Sequence, residues 1–269
     1  MKKLYFSIIA ATLSFSSQVQ SAVVTIVPHR AVYDLELVRT GSHSTIASVD
    51  GRMVIEIAGS TCEGWAVTFR RVMEMRPSEG DTKLTDTQGT SFESGDGLSL
   101  RLNQKDYVDN KLDVETDLTA EIPPDHKNGT GTIAKPDNED FNLPAGTIFP
   151  MSHQLRLMAA AESGKKQDVS VLFDGSSGAQ TYKAITFIGA KRHPVSQQSA
   201  LADQEAWPTA ISFFGPKKAG EEGEAVPDYQ VSFDLYTNGV AENLVLDYGD
   251  FVLSGKLTGL DFLDKPKCE

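Results

Sequence analysis

Long apolar runs are missing from most of this chain. After the first residues, nothing approaches the about 18 consecutive apolar residues that a membrane-crossing helix needs, so no integral membrane span is expected. Cysteine is scarce: Cys62 and Cys268 are the only two, and they form no C-x-x-C redox pair. Basic residues are few as well, with 25 Lys and Arg against 37 Asp and Glu and a formal charge of −12. Phosphate backbones and anionic headgroup surfaces would repel such a chain, so nucleic-acid binding is not expected. Catalytic and cofactor signatures are also lacking. There is no nucleophile elbow, P-loop, dinucleotide fingerprint, EF-hand loop or HExxH.

What is present begins with "MKKLYFSIIAATLSFSSQVQSA". Lys2 and Lys3, the apolar stretch Leu4 to Phe15, and small residues Ser21 and Ala22 read as a cleaved secretory signal over residues 1–22. No cysteine stands near the cleavage point, which argues against a lipid anchor there. Residues 23–269 are then expected as one exported, soluble, β-rich domain, more acidic still once the two lysines are gone. Export would place Cys62 and Cys268 where disulfides persist. Free thiols and a redox pair are the competing readings. A structural bond would close a loop of roughly 200 residues and contribute up to about 5 kcal/mol in the chain-entropy model.

Short alternating segments separated by Gly, Asp and Asn turns make an all-β pattern of roughly a dozen or more strands. "AVYDLELVR" puts Tyr33, Leu35 and Leu37 on one face, and Val32, Asp34, Glu36 and Val38 on the other. Asp50-Gly51 reads as a hairpin turn, and Asn238-Gly239 as a type I′ turn. An irregularity is expected near Arg70-Arg71. "PPDHKNGTGTIAKPDNED" and "PKKAGEEGEAVPD" read as polar loops. One helix interrupts the pattern, with Pro150 at its first position, Met151, Leu155 and Met158 on one stripe, and Gly164 at its end. It is expected to lie against or plug a curved sheet.

Few residues point to chemistry. The "PDNED" stretch, Asp137 to Asp140, matches no calcium loop, so no metal site is expected. His29, His43, His126, His153 and His193 are scattered, and a hydrolase would need His29, His153 or two carboxylates to converge. No catalytic residue and no cofactor are assigned. The face of Phe149, Met151, Leu155 and Met158 is a candidate lining for a lipid cavity, with core packing the competing reading.

Several stretches together carry a resemblance: "VPHRAVYDLEL", "GWAVTFRR", "LPAGTIFPMSHQLRLMAAAESG", "YQVSFDLYTNGVAENLVLDYGDFVLSGKL", and Cys62 matched with Cys268. They resemble the EipB-like periplasmic proteins of α-proteobacteria. That resemblance implies an open, spiral-like β-barrel of antiparallel strands with one entering helix, closed by a Cys62–Cys268 disulfide. It also implies a non-enzymatic role in cell-envelope integrity under stress, with a periplasmic tetratricopeptide-repeat protein as partner. Two expectations follow: protein contact in the periplasm, or carriage of a lipid or other apolar molecule in the concave face.

Overall fold

Alternation decides the first strand. In β1 (His29–Thr40) the side chains of His29, Ala31, Tyr33 and Leu35 are buried, while Arg30 and Glu36 face solvent. Successive residues of a strand point to opposite faces, so this period-two row fixes which side becomes interior. The computed structural model describes residues 24–42, 44–216 and 225–268. The expected signal peptide, His43 and the "GEEGE" stretch lie outside the described residues.

All described strands join one 15-stranded sheet with β1 in its middle. One arm runs outward through β2 (Ile46–Ser60), β3 (Gly64–Pro77), β4 (Lys83–Glu93), β5 (Ser99–Val108), β6 (Lys111–Glu121), β7 (Gly129–Lys135) and β8 (Glu139–Leu143). The other arm, counted in chain order, holds β9 (Thr147–Ile148), β10 (Gln167–Leu172), β11 (Tyr182–Ile188), β12 (Ala206–Phe214), β13 (Tyr229–Tyr236), β14 (Ala241–Asp247) and β15 (Phe251–Phe262), with β15 against β1. Neighbours are antiparallel except β9 and β10, which are parallel and joined through the helix α1 (Pro150–Glu162). The two ends of the sheet, β8 and β9, are separated by only three residues. The sheet therefore returns on itself as an open, spiral-like barrel with one seam, and Phe141 packs 5.2 Å from Phe173 there.

Helix α1 is bounded by the residues its sequence offers. Pro150 takes the first turn, where its missing N–H costs no hydrogen bond. Gly164 adopts φ 80°, and the N–H groups of Gly164 and Lys165 donate to Ala161 and Ala160. The buried side of α1 packs on β10 to β13, with Ile57 and Trp65 completing that cluster. A second cluster fills the space among β1, β2, β14 and β15, and a third lies inside β5 to β8 around Phe149 and Phe173.

Four local expectations change. Asp50-Gly51 makes no turn: β2 runs straight through it, opposite Met73 and Glu74. A Cβ on Gly51 would sit 2.7 Å from the Val72 carbonyl oxygen, so the glycine serves close strand approach. Arg70-Arg71 is no irregularity either, because β3 holds its register on both sides. Arg70 points out to a two-point pair with Asp86, and Arg71 points in. "PPDHKNGTGTIAKPDNED" contains β7 and the start of β8, with the ring of Phe141 lying over Gly131. Asn238-Gly239 does turn the chain, but only Gly239 has positive φ, so the turn is not type I′.

Candidate functional site

Between the inner face of β1 to β5 and the first turn of α1 lies a hollow of about 500 Å³. Strand register builds its wall in two tiers. Ala31, Ile55, Phe69, Gly89 and Gln104 stand side by side across five strands. His29, Ile57, Val67, Ser91 and Leu102 form the next row. The roof comes from Pro150, Met151 and Gln154 of α1, from Asp174 and Ser176 after β10, and from Gly239 and Ala241 beside the β13–β14 turn. Gln154 Nε2 donates to the Gly239 carbonyl at 2.7 Å, tying helix and turn together. Gly89 leaves part of the wall bare, since a Cβ there would meet nothing closer than 3.8 Å.

Glu93, at the end of β4, is the main buried charge at this site, with 2 % of its surface exposed. The side chain of Phe149 at the helix N-cap cannot accept a hydrogen bond, so the free N–H groups of the first turn of α1 need an acceptor from elsewhere. Glu93 supplies it: Met151 N and Ser152 N donate to its two oxygens at 2.8 Å each, and Ser152 Oγ donates as well. Burial pushes the Glu93 carboxyl above its ordinary range, and these three hydrogen bonds hold it part of the way back. The distance of 58 residues between Glu93 and Met151 hid this cap from sequence reading. A helix opening "FPMSHQ", with no Ser, Thr, Asp or Asn at its N-cap, was the available signal.

His29 is buried in the wall, and its Nδ1–H donates to the Val27 carbonyl at 2.7 Å. Burial lowers its pKa, which leaves a neutral ring with Nε2 as an acceptor. His153 lies on α1 away from the hollow, with Nε2 buried and unpartnered, and burial depresses its pKa to about 4. Neither imidazole is hydrogen-bonded to a serine, cysteine or carboxylate side chain among the described residues. No cluster of three metal-ligating side chains occurs among them.

The candidate lining residues separate. Met151 lines the hollow. Phe149 is fully buried against Phe173 in an edge-to-face pair. Met158 is buried in the helix–sheet core and Leu155 packs against it. The physical reason is that only the first turn of α1 passes over the hollow, while the rest of its apolar stripe already faces β10 to β13. Cys62, in the β2–β3 turn, is bonded to Cys268, with Cα atoms 6.0 Å apart. This bond lies at the end of the barrel where β1 starts and β15 ends, for Leu263 N donates to Pro28 O beside it.

Comparison with known proteins agrees with this architecture. The profile of the family described as EipB-like matches residues 20–264. The cell envelope integrity protein EipB of Brucella abortus is 36 % identical over 252 residues, covering 92 % of this chain and 88 % of the relative. A crystal structure titled as a β-barrel-like protein of domain of unknown function DUF1849, also from Brucella abortus, superposes with a TM-score of 0.84 at 34 % identity. That match covers 90 % of this chain and all of the other. In sequence over nearly its full length and in fold, the chain belongs to the EipB-like family of cell-envelope proteins.

Proposed function

We propose that this protein acts in the periplasm, after removal of its signal peptide, by holding an apolar envelope molecule in the hollow under α1. The observation that carries this reading is the wall itself: β1, β2, β3 and β5 present Ala31, Ile55, Ile57, Val67, Phe69 and Leu102, and β4 presents Gly89, to a space that no side chain fills. Sites of roughly 300–1,000 Å³ with apolar walls and a few polar groups suit small ligands. Gly89 keeps the space open where almost any other residue would narrow it. The reading is non-enzymatic, and two polar groups at the hollow support it by serving the fold: Glu93 caps α1, and His29 Nδ1 is tied to Val27. Uptake of a fluorescent fatty acid by delipidated protein, and its loss when the hollow is narrowed at Gly89, tests this function.

Contact with a periplasmic tetratricopeptide-repeat protein is a second reading. The observation in its favour is the start of β6, where Leu112 and Val114 are exposed on either side of a shift in register with β5. Reversible contacts use exposed apolar residues rimmed by charge. Leu112→Asp combined with Val114→Asp is expected to weaken co-purification of a repeat protein. Undiminished co-purification by the double variant would contradict a role for this surface.

A further inference from the structure

Beyond its two apolar tiers, the wall continues into a third of different character. Tyr33 faces Met53, Met53 faces Arg71, Arg71 faces Thr87, and Thr87 faces Asp106. Arg71 follows Val67 and Phe69 on the inner row of β3, so its guanidinium enters the barrel next to the hollow. Its Cζ lies 6.0 Å from the centroid of the Phe69 ring, which lines that hollow. Arg39, Arg52, Arg70, Arg156 and Arg192 each pair with an aspartate. Arg71 pairs with no carboxylate among the described residues, and its Nε is buried without a hydrogen-bond partner. Asp106, the acid in the same tier, is occupied: Thr87 Oγ1 donates to it at 2.7 Å and Gln104 Nε2 at 2.8 Å.

A buried donor without a partner is costly, and a guanidinium matches an oxyanion with two parallel hydrogen bonds. We propose that Arg71 anchors the anionic end of the molecule held in the hollow, an inference that rests on the apolar-ligand reading above. The ligand is then a single-chain amphiphile whose tail lies along the tiers of Ile55, Ile57 and Val67 and whose head is a carboxylate or a phosphate. A volume of about 500 Å³ suits one such chain. Charge fits as well, because an inward cation in a chain of formal charge −12 attracts an anion where the outer surface repels it.

Displacement of a bound fluorescent probe by palmitate, by the alkyl phosphate of matching length and by the matching alcohol tests the anchor. For the unaltered protein, at least one of the two anions is expected to compete about tenfold to a hundredfold better than the alcohol, the range of a charge-assisted hydrogen bond. The stronger of them identifies the head. In Arg71→Gln the anion preference is expected to disappear while the alcohol competes as before, and Arg71→Lys is expected to restore part of it. Equal competition by acid, phosphate and alcohol in the unaltered protein would overturn the anchor while leaving the hollow as a binding site. That comparison needs no variant, so it decides the matter even if Arg71→Gln fails to fold. Absence of binding by any of the three would overturn the hollow reading itself, and the anchor with it.

Discussion

Replacing either Cys62 or Cys268 by serine is expected to lower the melting temperature by roughly 10 °C, corresponding to about 2–4 kcal/mol. The effect arises mainly in the unfolded chain. In the folded protein β15, β1, β2 and β3 are already neighbours through backbone hydrogen bonds, so the bond adds little new contact. Unfolded, the same bond holds together positions separated by 206 residues, and losing that constraint gives the denatured ensemble many more conformations. Because one constraint is lost however it is removed, Cys62→Ser, Cys268→Ser and the double variant are expected to melt together. Reductant is expected to bring the unaltered protein to the same temperature. Identical melting under oxidising and reducing conditions would contradict a stabilising role.

A second large effect is expected at Glu93. Glu93→Ala removes the acceptor of two helix N–H groups and of Ser152 Oγ at a position only 2 % exposed. Loss of a helix cap costs about 0.5–2 kcal/mol, and each buried donor left unpaired costs about 1–3 kcal/mol. A total near 3–5 kcal/mol is therefore expected from denaturant unfolding, with an unchanged slope if the native fold survives. Glu93→Gln is expected to lose less, because its carbonyl oxygen still accepts one N–H while its amide N–H₂ opposes the other. A loss below about 0.5 kcal/mol for Glu93→Ala, the scale of an ordinary surface change, would show that α1 is capped by other means. The roof of the hollow depends on this contact, so weaker ligand uptake is expected to accompany the loss of stability.

What could be read from the sequence was what neighbours along the chain decide. The period-two row of β1, Pro150 at the start of α1 and Gly164 beyond its end are local statements, and each appears in the structure as read. Misreadings occurred where a residue's partner is distant. Gly51 looked like a turn because the Val72 carbonyl beside it comes from the next strand. Arg71 looked like an irregularity because a cation is unusual on an inner face, yet the alternation of β3 continues through it. Thr130, Thr132 and Ile133 looked like loop because a strand this short is set by pairing with β6 and β8 rather than by its own composition. The hollow was the least legible part. Its wall comes from five strands in register, and its capping carboxylate and unpaired guanidinium reach it from different tiers.

The central claim is that the space bounded by Phe69, Gly89 and Gln104 is a binding site, and Gly89→Leu tests it most directly. Gly89 lies on a strand without positive φ, and a Cβ there clears all neighbours, so the backbone accepts a larger residue without strain. A leucine side chain would occupy room for about three or four methylenes of a ligand. At about 0.8 kcal/mol for each methylene kept from burial, binding is expected to weaken roughly 60- to 200-fold. The measurement is a titration of delipidated protein with a fluorescent fatty acid, beside thermal melting of the same samples. Saturable uptake by the unaltered chain, lost in a Gly89→Leu variant that melts at least as high, is the predicted result. Equal uptake by both proteins, or none by the unaltered one, would contradict it.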